Sequence, residues 1–223
     1  MRSGHRSAPV VPSLAQLVER ARALVFDFDG TLVESNAIKR RAFERCFADA
    51  PAAHQADIQA YCRGFNHTPR WEKFRHIYEH ILHRTYTPVI ETELLRRFEA
   101  ETTRQIVEAP EIRGASAFLA QAARTHVTAL LSSAPQEILM KILEDRGWRG
   151  YFQTVQGAPV DKAQWLAGWR RKHPDTLFFG DTPEDARAAQ AAGCSFVIVG
   201  DSTPDAETVC AIQDFSEPVS VRR

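Results

Sequence analysis

The sequence predicts an α/β protein built on a doubly wound, Rossmann-like and mostly parallel sheet, with an α-helical cap inserted into it. Four apolar runs carry the sheet: ALVFDF (23–28), VTALLS (127–132), TLFFGD (176–181) and SFVIVGD (195–201). They are continuous rather than alternating, which suits strands covered on both faces. Helical segments separate the later runs, and strand alternating with helix implies a doubly wound domain. The cap follows from a contrast: residues 36–110 hold no comparable run and read as helices.

Taken in order, residues 1–12 read as a loose tail, and Ser13 is placed to cap a short helix through about Arg22. After the first strand, NAIKRRAFERCFADA, PRWEKFRHIYEHIL and TELLRRFEAETTRQIVEA supply the helices of the cap. In the second of these, Trp71, Phe74, Tyr78 and Ile81 recur at helical spacing and are expected to form the cap's own core, with Thr68-Pro69 as the helix start. QEILMKILEDRG and PEDARAAQAAG, closed by Gly147 and Gly193, are helices stopped by a C-terminal glycine. The expected organisation is a tail and short helix over 1–20, an α/β core made of 21–35 plus 111–223, and a helical cap over 36–110.

Bulk properties narrow the function. Lysine plus arginine equals aspartate plus glutamate at 28 each, so no global field steers the chain to nucleic acid or an anionic membrane. Cys46, Cys62, Cys194 and Cys210 show no CxxC spacing and read as reduced thiols. The stretch MRSGHRSAPVVPSLAQ is polar and broken by prolines, unlike a signal peptide, and no run has transmembrane length. A cytoplasmic protein is the expectation, which makes the Asn-His-Thr triplet at Asn66 a chance match to a glycosylation site. No glycine-rich nucleotide-binding loop occurs.

In an open α/β sheet, ligands gather at the carboxyl ends of the strands, near the switch in strand order. Three runs end in polar groups there: Asp27 and Asp29, then Ser132 and Ser133, then Asp181 with Asp185 four residues on. Lys162 falls in the GAPVDKAQ loop before the third of these strands. A lone aspartate at a strand end is commonly a helix cap, and either Asp181 or Thr182 can cap the helix after it. Caps have no reason to cluster, however. With Asp29 neutral, three ionised aspartates and one lysine leave a charge that one magnesium ion closes to zero, and hard cations take oxygen ligands.

Such a site admits a phosphate bridging metal and lysine. Phosphate monoester hydrolysis needs rate factors of up to about 10²¹. Positioning supplies roughly 7–11 kcal/mol of that barrier, so a metal clamp and a covalent step are sensible additions. A carboxylate of ordinary pKa, near 4, is ionised at neutral pH, so Asp27 can attack phosphorus without a base. Asp29 has to carry a proton to the leaving oxygen, and its pKa is expected to be raised by neighbouring negative charge and desolvation. Gly30 permits the turn that brings the Asp29 carboxyl back over the site.

DFDGTLVES, LLSSAP, the Lys162 loop and FFGDTPEDARAAQAAG resemble, in order and approximate spacing, the four motifs of the haloacid dehalogenase superfamily. Within it the chain is similar to the phosphoglycolate phosphatase and β-phosphoglucomutase-like members of subfamily I, whose type-one helical cap closes over the substrate. The resemblance implies Asp27 as nucleophile forming a phosphoaspartate and Asp29 as general acid and base. It implies Ser132 and Lys162 on the phosphoryl group, and Mg²⁺ held by Asp27, the Asp29 main-chain carbonyl and Asp181, with Asp185 in support. Asp29 argues against the family's dehalogenases and phosphonatases, which lack an acid there.

The expected activity is magnesium-dependent hydrolysis of a small phosphorylated metabolite, of phosphoglycolate or sugar phosphate type, by a monomer or weak homodimer. Arg63, Asn66, His67 and Arg70 in YCRGFNHTPRW (61–71) sit on the cap loop expected to face the core and suggest an anionic or polyhydroxy leaving group. His76, His80 and His83 have no metal-ligand pattern. Two alternatives use the same acids: a phosphomutase of the same family, and a non-catalytic phospho-switch or metal-binding module. The latter has no use for Asp29 or a helical lid.

Overall fold

The computed structural model of the chain describes residues 12–64, 68, 70–201 and 210–216. Chain order runs α1 (Leu14–Arg20), β1 (Ala23–Phe26), α2 (Asn36–Cys46), α3 (Ala52–Gly64), α4 (Arg70–His76), α5 (Pro88–Glu108), α6 (Ala115–Thr125), β2 (Val127–Pro135), α7 (Gln136–Asp145), β3 (Thr154–Ala158), α8 (Lys162–Lys172), β4 (Thr176–Gly180), α9 (Pro183–Ala192), β5 (Ser195–Val199) and β6 (Cys210–Ile212). A single π-helical turn, Ile77–Ile81, extends α4, and a 3₁₀ turn lies at Arg149–Tyr151.

The strands form one parallel sheet in the order β3-β2-β1-β4-β5-β6. The order reverses direction at β1, which therefore flanks the crevice where such sheets bind ligands. β1 is buried along its whole length, and its side chains alternate between two cores. Leu24 and Phe26 join a cluster with α1, α6 and α7, while Val25 joins one with α8 and α9. That is why the run is apolar without alternation: both faces are covered. Phe26 stacks on Phe179 of β4 at 4.9 Å and meets Phe118 edge-on at 6.0 Å, so truncating it to alanine should cost roughly 3–5 kcal/mol.

Two strands escape the sequence reading. β3 (TVQGA) is mostly half-buried at the sheet edge, and β6 is three residues long, so neither presents an apolar run. α1 forms as the sequence suggests, with Ser13 and Gln16 completing a capping box.

Helices α2 to α5 pack round a third cluster of their own, centred on Phe43, Phe47, Phe74, Ile77 and Phe98. The aromatic stripe of PRWEKFRHIYEHIL is only partly in it. Phe74 is fully buried, Tyr78 and Ile81 pack at its edge, and Trp71 is exposed beside the Arg75 guanidinium. Trp71 falls outside the core before the π-helical turn begins, and within that turn Ile77, rather than Tyr78, takes the fully buried position, so a stripe read at uniform spacing drifts off the core face. YCRGFNHTPRW is likewise not one loop: Tyr61–Gly64 finish α3, and Arg70 and Trp71 begin α4. Asn66 and His67, with the triplet at Asn66, lie outside the described residues. None of the described helices is long and apolar enough to cross a membrane.

Candidate active site

β1 ends at Phe26, and the next backbone N–H, that of Asp27, donates to the Phe179 carbonyl at 2.8 Å. This tie fixes Asp27 beside the end of β4, where Asp181 follows Gly180. Gly30 then turns the chain at φ 83°. A Cβ there would collide with the Asp181 carboxylate and the Asn36 amide, so the position needs glycine for space as well as for conformation. Gly180 is needed for approach alone: a Cβ on it would lie 2.6 Å from Cβ of Asp185.

Asp27, Asp181 and Asp185 are all buried and offer carboxylate oxygens within 4.8 Å of one another. Each is held. Thr182 caps α9 by accepting from the Asp185 N–H at 3.1 Å and donates its hydroxyl to Oδ2 of Asp185 at 2.6 Å. The capping duty therefore falls to Thr182, which leaves Asp181 for the site. Asn36 Nδ2 donates to Asp181 Oδ2 at 2.9 Å, and Thr31 Oγ1 reaches Oδ1 at 3.4 Å.

Lys162 is the first residue of α8, not a loop residue, with Asp161 as the cap before it. A lysine there opposes the helix dipole, which favours acids at an N-terminus. It is kept by other partners: Nζ donates to Oδ1 of Asp27 at 2.8 Å and to Oδ1 of Asp185 at 2.7 Å. Ser132, on β2, is buried, and its Oγ accepts from the Ala134 N–H at 3.1 Å.

The electrostatics depart from the sequence expectation in two places. Burial, partly offset by Lys162 and reinforced by Asp185, Asp181 and Asp29, pushes the Asp27 carboxyl up to about 8 rather than leaving it near 4. Asp181 is likewise pushed up to about 6, by burial and then by Asp185. Asp29 goes the other way. Its burial would raise it, but the Lys39 ammonium at 2.5 Å, a 2.6 Å hydrogen bond from Ser35 Oγ and the Arg70 charge together hold it below the ordinary carboxylate range. Burial works against the charge on Lys162, yet Asp185 and Asp27 overcome it and hold the ammonium above its usual pKa.

The sequence reading misses the residues that serve Asp29 and Asp181. Ser35 precedes α2 as its cap, but its hydroxyl goes to Asp29 rather than to the helix. Asn36 and Lys39 follow on the first turn of α2. Their signal was a polar trio, Ser35, Asn36 and Lys39, at one-turn spacing directly after DFDGTLVE. Arg70 lies near enough to act on Asp29, whereas Arg63 is exposed on the last turn of α3.

Three buried carboxylates in contact range, two with raised proton affinity, make a donor set that suits a hard divalent cation. The family model for haloacid dehalogenase-like hydrolases matches residues 21–193. No curated protein matches the chain by sequence. Solved structures share its fold. A haloacid dehalogenase-like hydrolase from Streptococcus pneumoniae is 16% identical, with a TM-score of 0.67 over 89% of this chain and 96% of its own. CbbY from Rhodobacter sphaeroides, in complex with phosphate, is 18% identical, with a TM-score of 0.68 over 88% and 96%. A predicted phosphoglycolate phosphatase from Haemophilus somnus is 20% identical, with a TM-score of 0.69 over 89% and 96%.

Proposed function

The chain belongs to the haloacid dehalogenase-like hydrolase family, and from its site we propose that it is a magnesium-dependent phosphatase acting on a small phosphorylated metabolite through a phosphoaspartate. The observation that carries this is the meeting of Asp27, Asp181 and Asp185 at the sheet's switch point, with Lys162 bridging two of them and Asp29 two residues from the nucleophile. CbbY, similar in fold, was crystallised with phosphate.

Asp27 and Asp181, supported by Asp185 and the Asp29 carbonyl, would hold the cation. When bound, it supplies positive charge that ionises Asp27 and draws the phosphoryl oxygens into place. Lys162 neutralises the phosphoryl group from the other side, and Ser132 offers it a hydroxyl. An Asp27 oxygen attacks phosphorus as the ester P–O bond breaks, and the leaving oxygen takes its proton from Asp29. Water then attacks the phosphoaspartate, Asp29 takes the water's proton, and inorganic phosphate leaves with Asp27 restored.

Lys39 and Ser35 favour the ionised Asp29 that this second step needs. The phosphate dianion of the substrate, arriving beside Asp27, adds negative charge and raises the Asp29 proton affinity for the first step. Residues 36–110 are proposed to act as the cap over this site, with Arg70 facing the leaving group.

The test is phosphate release across a panel of phosphoglycolate-type and sugar phosphate esters, with and without magnesium. Turnover that needs magnesium and vanishes in Asp27→Asn is the expected result. Release that persists in Asp27→Asn refutes the nucleophile, and isomer formation without phosphate release marks a mutase instead.

A further inference from the structure

Two histidines meet on the exposed side of α4, outside the acidic cluster. His76 ends α4, and His80 lies in the π-helical turn that extends it. Side chains four residues apart share a helix face, and here the ring centres are 4.7 Å apart with the planes tilted by 45°. Tyr61 of α3 stacks on the His76 ring at 4.1 Å and 13°, which fixes the plane of that ring. Among the described residues neither imidazole forms a hydrogen bond or an ion pair, so both have nitrogen lone pairs to offer.

The surroundings suit a cation. The pair opens on a recess of about 270 Å³ that Tyr61, Trp71, Glu72, Arg75 and Glu79 also line. Glu72, one turn before His76, and Glu79, beside His80, are exposed and form no ion pair among the described residues. Arg75, the cation on the rim, is engaged by the Trp71 and Tyr86 rings, whose centres lie 5.6 and 5.8 Å from its guanidinium.

The nature of the cation follows from the donors. Imidazole nitrogen suits Zn²⁺, Ni²⁺ and Cu²⁺, whereas Mg²⁺ takes oxygen, so this pair and the aspartates would sort ions by hardness. Burial and then His80 lower the proton affinity of His76, which keeps its ring in the neutral form that binds metal. Two nitrogens held on one Zn²⁺ at about 2.0–2.1 Å lie no more than about 4.2 Å apart. Rings with centres at 4.7 Å reach that by rotating about their side-chain bonds.

We propose that His76 and His80 form a transition-metal site for Zn²⁺, Ni²⁺ or Cu²⁺, with Glu72 beside them and water in the remaining positions. The bound ion ties the last residue of α4 to the π-helical turn and holds the helix where its hydrogen-bond register changes. None of these residues belongs to the acidic cluster, so the site stands whether or not the chain is a phosphatase.

The experiment is calorimetric titration of the full chain with Ni²⁺ in saturating magnesium, which occupies oxygen sites. One Ni²⁺ per chain should bind at micromolar concentration, and His76→Gln and His80→Gln should each weaken it at least about tenfold. His54 and His83, with ring centres 6.5 Å apart, are the competing pair, and His83→Gln should leave the binding unchanged. At a hundredfold excess of Ni²⁺ over Kd, the Tm of the parent should rise by roughly 5–10 °C and that of His80→Gln should not. His80 is exposed, so equal melting of His80→Gln and the parent without Ni²⁺ shows that the site and not the fold is lost. No binding below millimolar Ni²⁺, binding seen only without magnesium, binding kept in both His76→Gln and His80→Gln, or binding lost in His83→Gln overturns the proposal.

Discussion

Replacing Lys162 by methionine removes the cation shared by two buried carboxylates and leaves their burial unchanged. Its ammonium lies 2.8 Å from Asp27 and 2.7 Å from Asp185, whose side chains are 7% and 1% exposed. At an effective dielectric near 20, each contact is worth roughly 6 kcal/mol of gross attraction. Desolvation of all three groups offsets most of that, and the measured cost of stranding a buried partner is roughly 3–5 kcal/mol.

The variant has one relief, which is to bind a proton. Asp27, already pushed up to about 8, moves higher without Lys162, and a neutral acid needs no counter-ion. The sign follows from linkage. The folded variant keeps a proton that the unfolded chain sheds above its ordinary value of 3.8, so folded-state stability falls as pH rises from there through the raised folded value. In EDTA, urea unfolding should thus show a loss of about 3–5 kcal/mol at pH 8 and a clearly smaller one at pH 5. At a slope of about 1–3 kcal/mol/M, the pH 8 loss moves the midpoint by roughly 1–3 M. Added magnesium should restore part of it, because a cation among the acids replaces the missing charge. A loss below about 1 kcal/mol, or one that is the same at both pH values, would refute the claim that Lys162 is the counter-charge of this cluster.

Three other outcomes follow from the same geometry. Metal-free wild type should itself lose stability between pH 5 and 8, since Asp27 and Asp181 are raised to about 8 and about 6, while Asp29, lowered from 3.8, titrates outside that window; urea midpoints in EDTA check the slope, and saturating magnesium should flatten it. Gly30→Ala should lower magnesium-dependent phosphate release by at least about 100-fold, because its Cβ displaces Asp181 and a misplacement of this scale is ruinous; near-normal kcat/KM would sink the reading. Lys73→Met on α4 should melt at or above the wild-type temperature, because Lys73 is only 4% exposed and has no ion pair among the described residues, and replacing such a charge by an apolar group is neutral or stabilising; a clear drop in Tm would make Lys73 a structural residue.

What the sequence discloses about this site, and what it hides, divides along one physical line. Asp27, Asp29, Asp181 and Asp185 are legible because they fall at or just past the ends of the apolar runs ALVF and TLFFG and cluster in the sequence motifs there, where buried acids are uncommon. β1 and β4 are legible for the same reason, buried on both faces and so apolar without interruption. β3 and β6 break no rule. An edge strand with one covered side and a three-residue strand have compositions that any loop could have. α3 hides similarly, since AAHQADIQAYCRG buries only Ile58 and Cys62 and so lacks a strong apolar stripe.

The state of the acids is the part no residue pattern could give, and Asp29 shows why. From its neighbours in sequence, Asp29 sits among negative charges under a lid, and every local consideration raises its pKa. The structure reverses this through Lys39, ten residues later on the first helix of the insert, with Ser35 forgoing its helix cap to join it. Charge at a buried position depends on the distance to a counter-charge, and distance is set by where α2 starts relative to the turn at Gly30. The same argument covers Lys162 and Lys73, one at the head of a helix where the dipole disfavours it and one buried with no ion pair among the described residues. In each case a cation stands where secondary structure or burial alone would not put it, and for Lys162 the anions that explain it, Asp27 and Asp185, are remote in sequence.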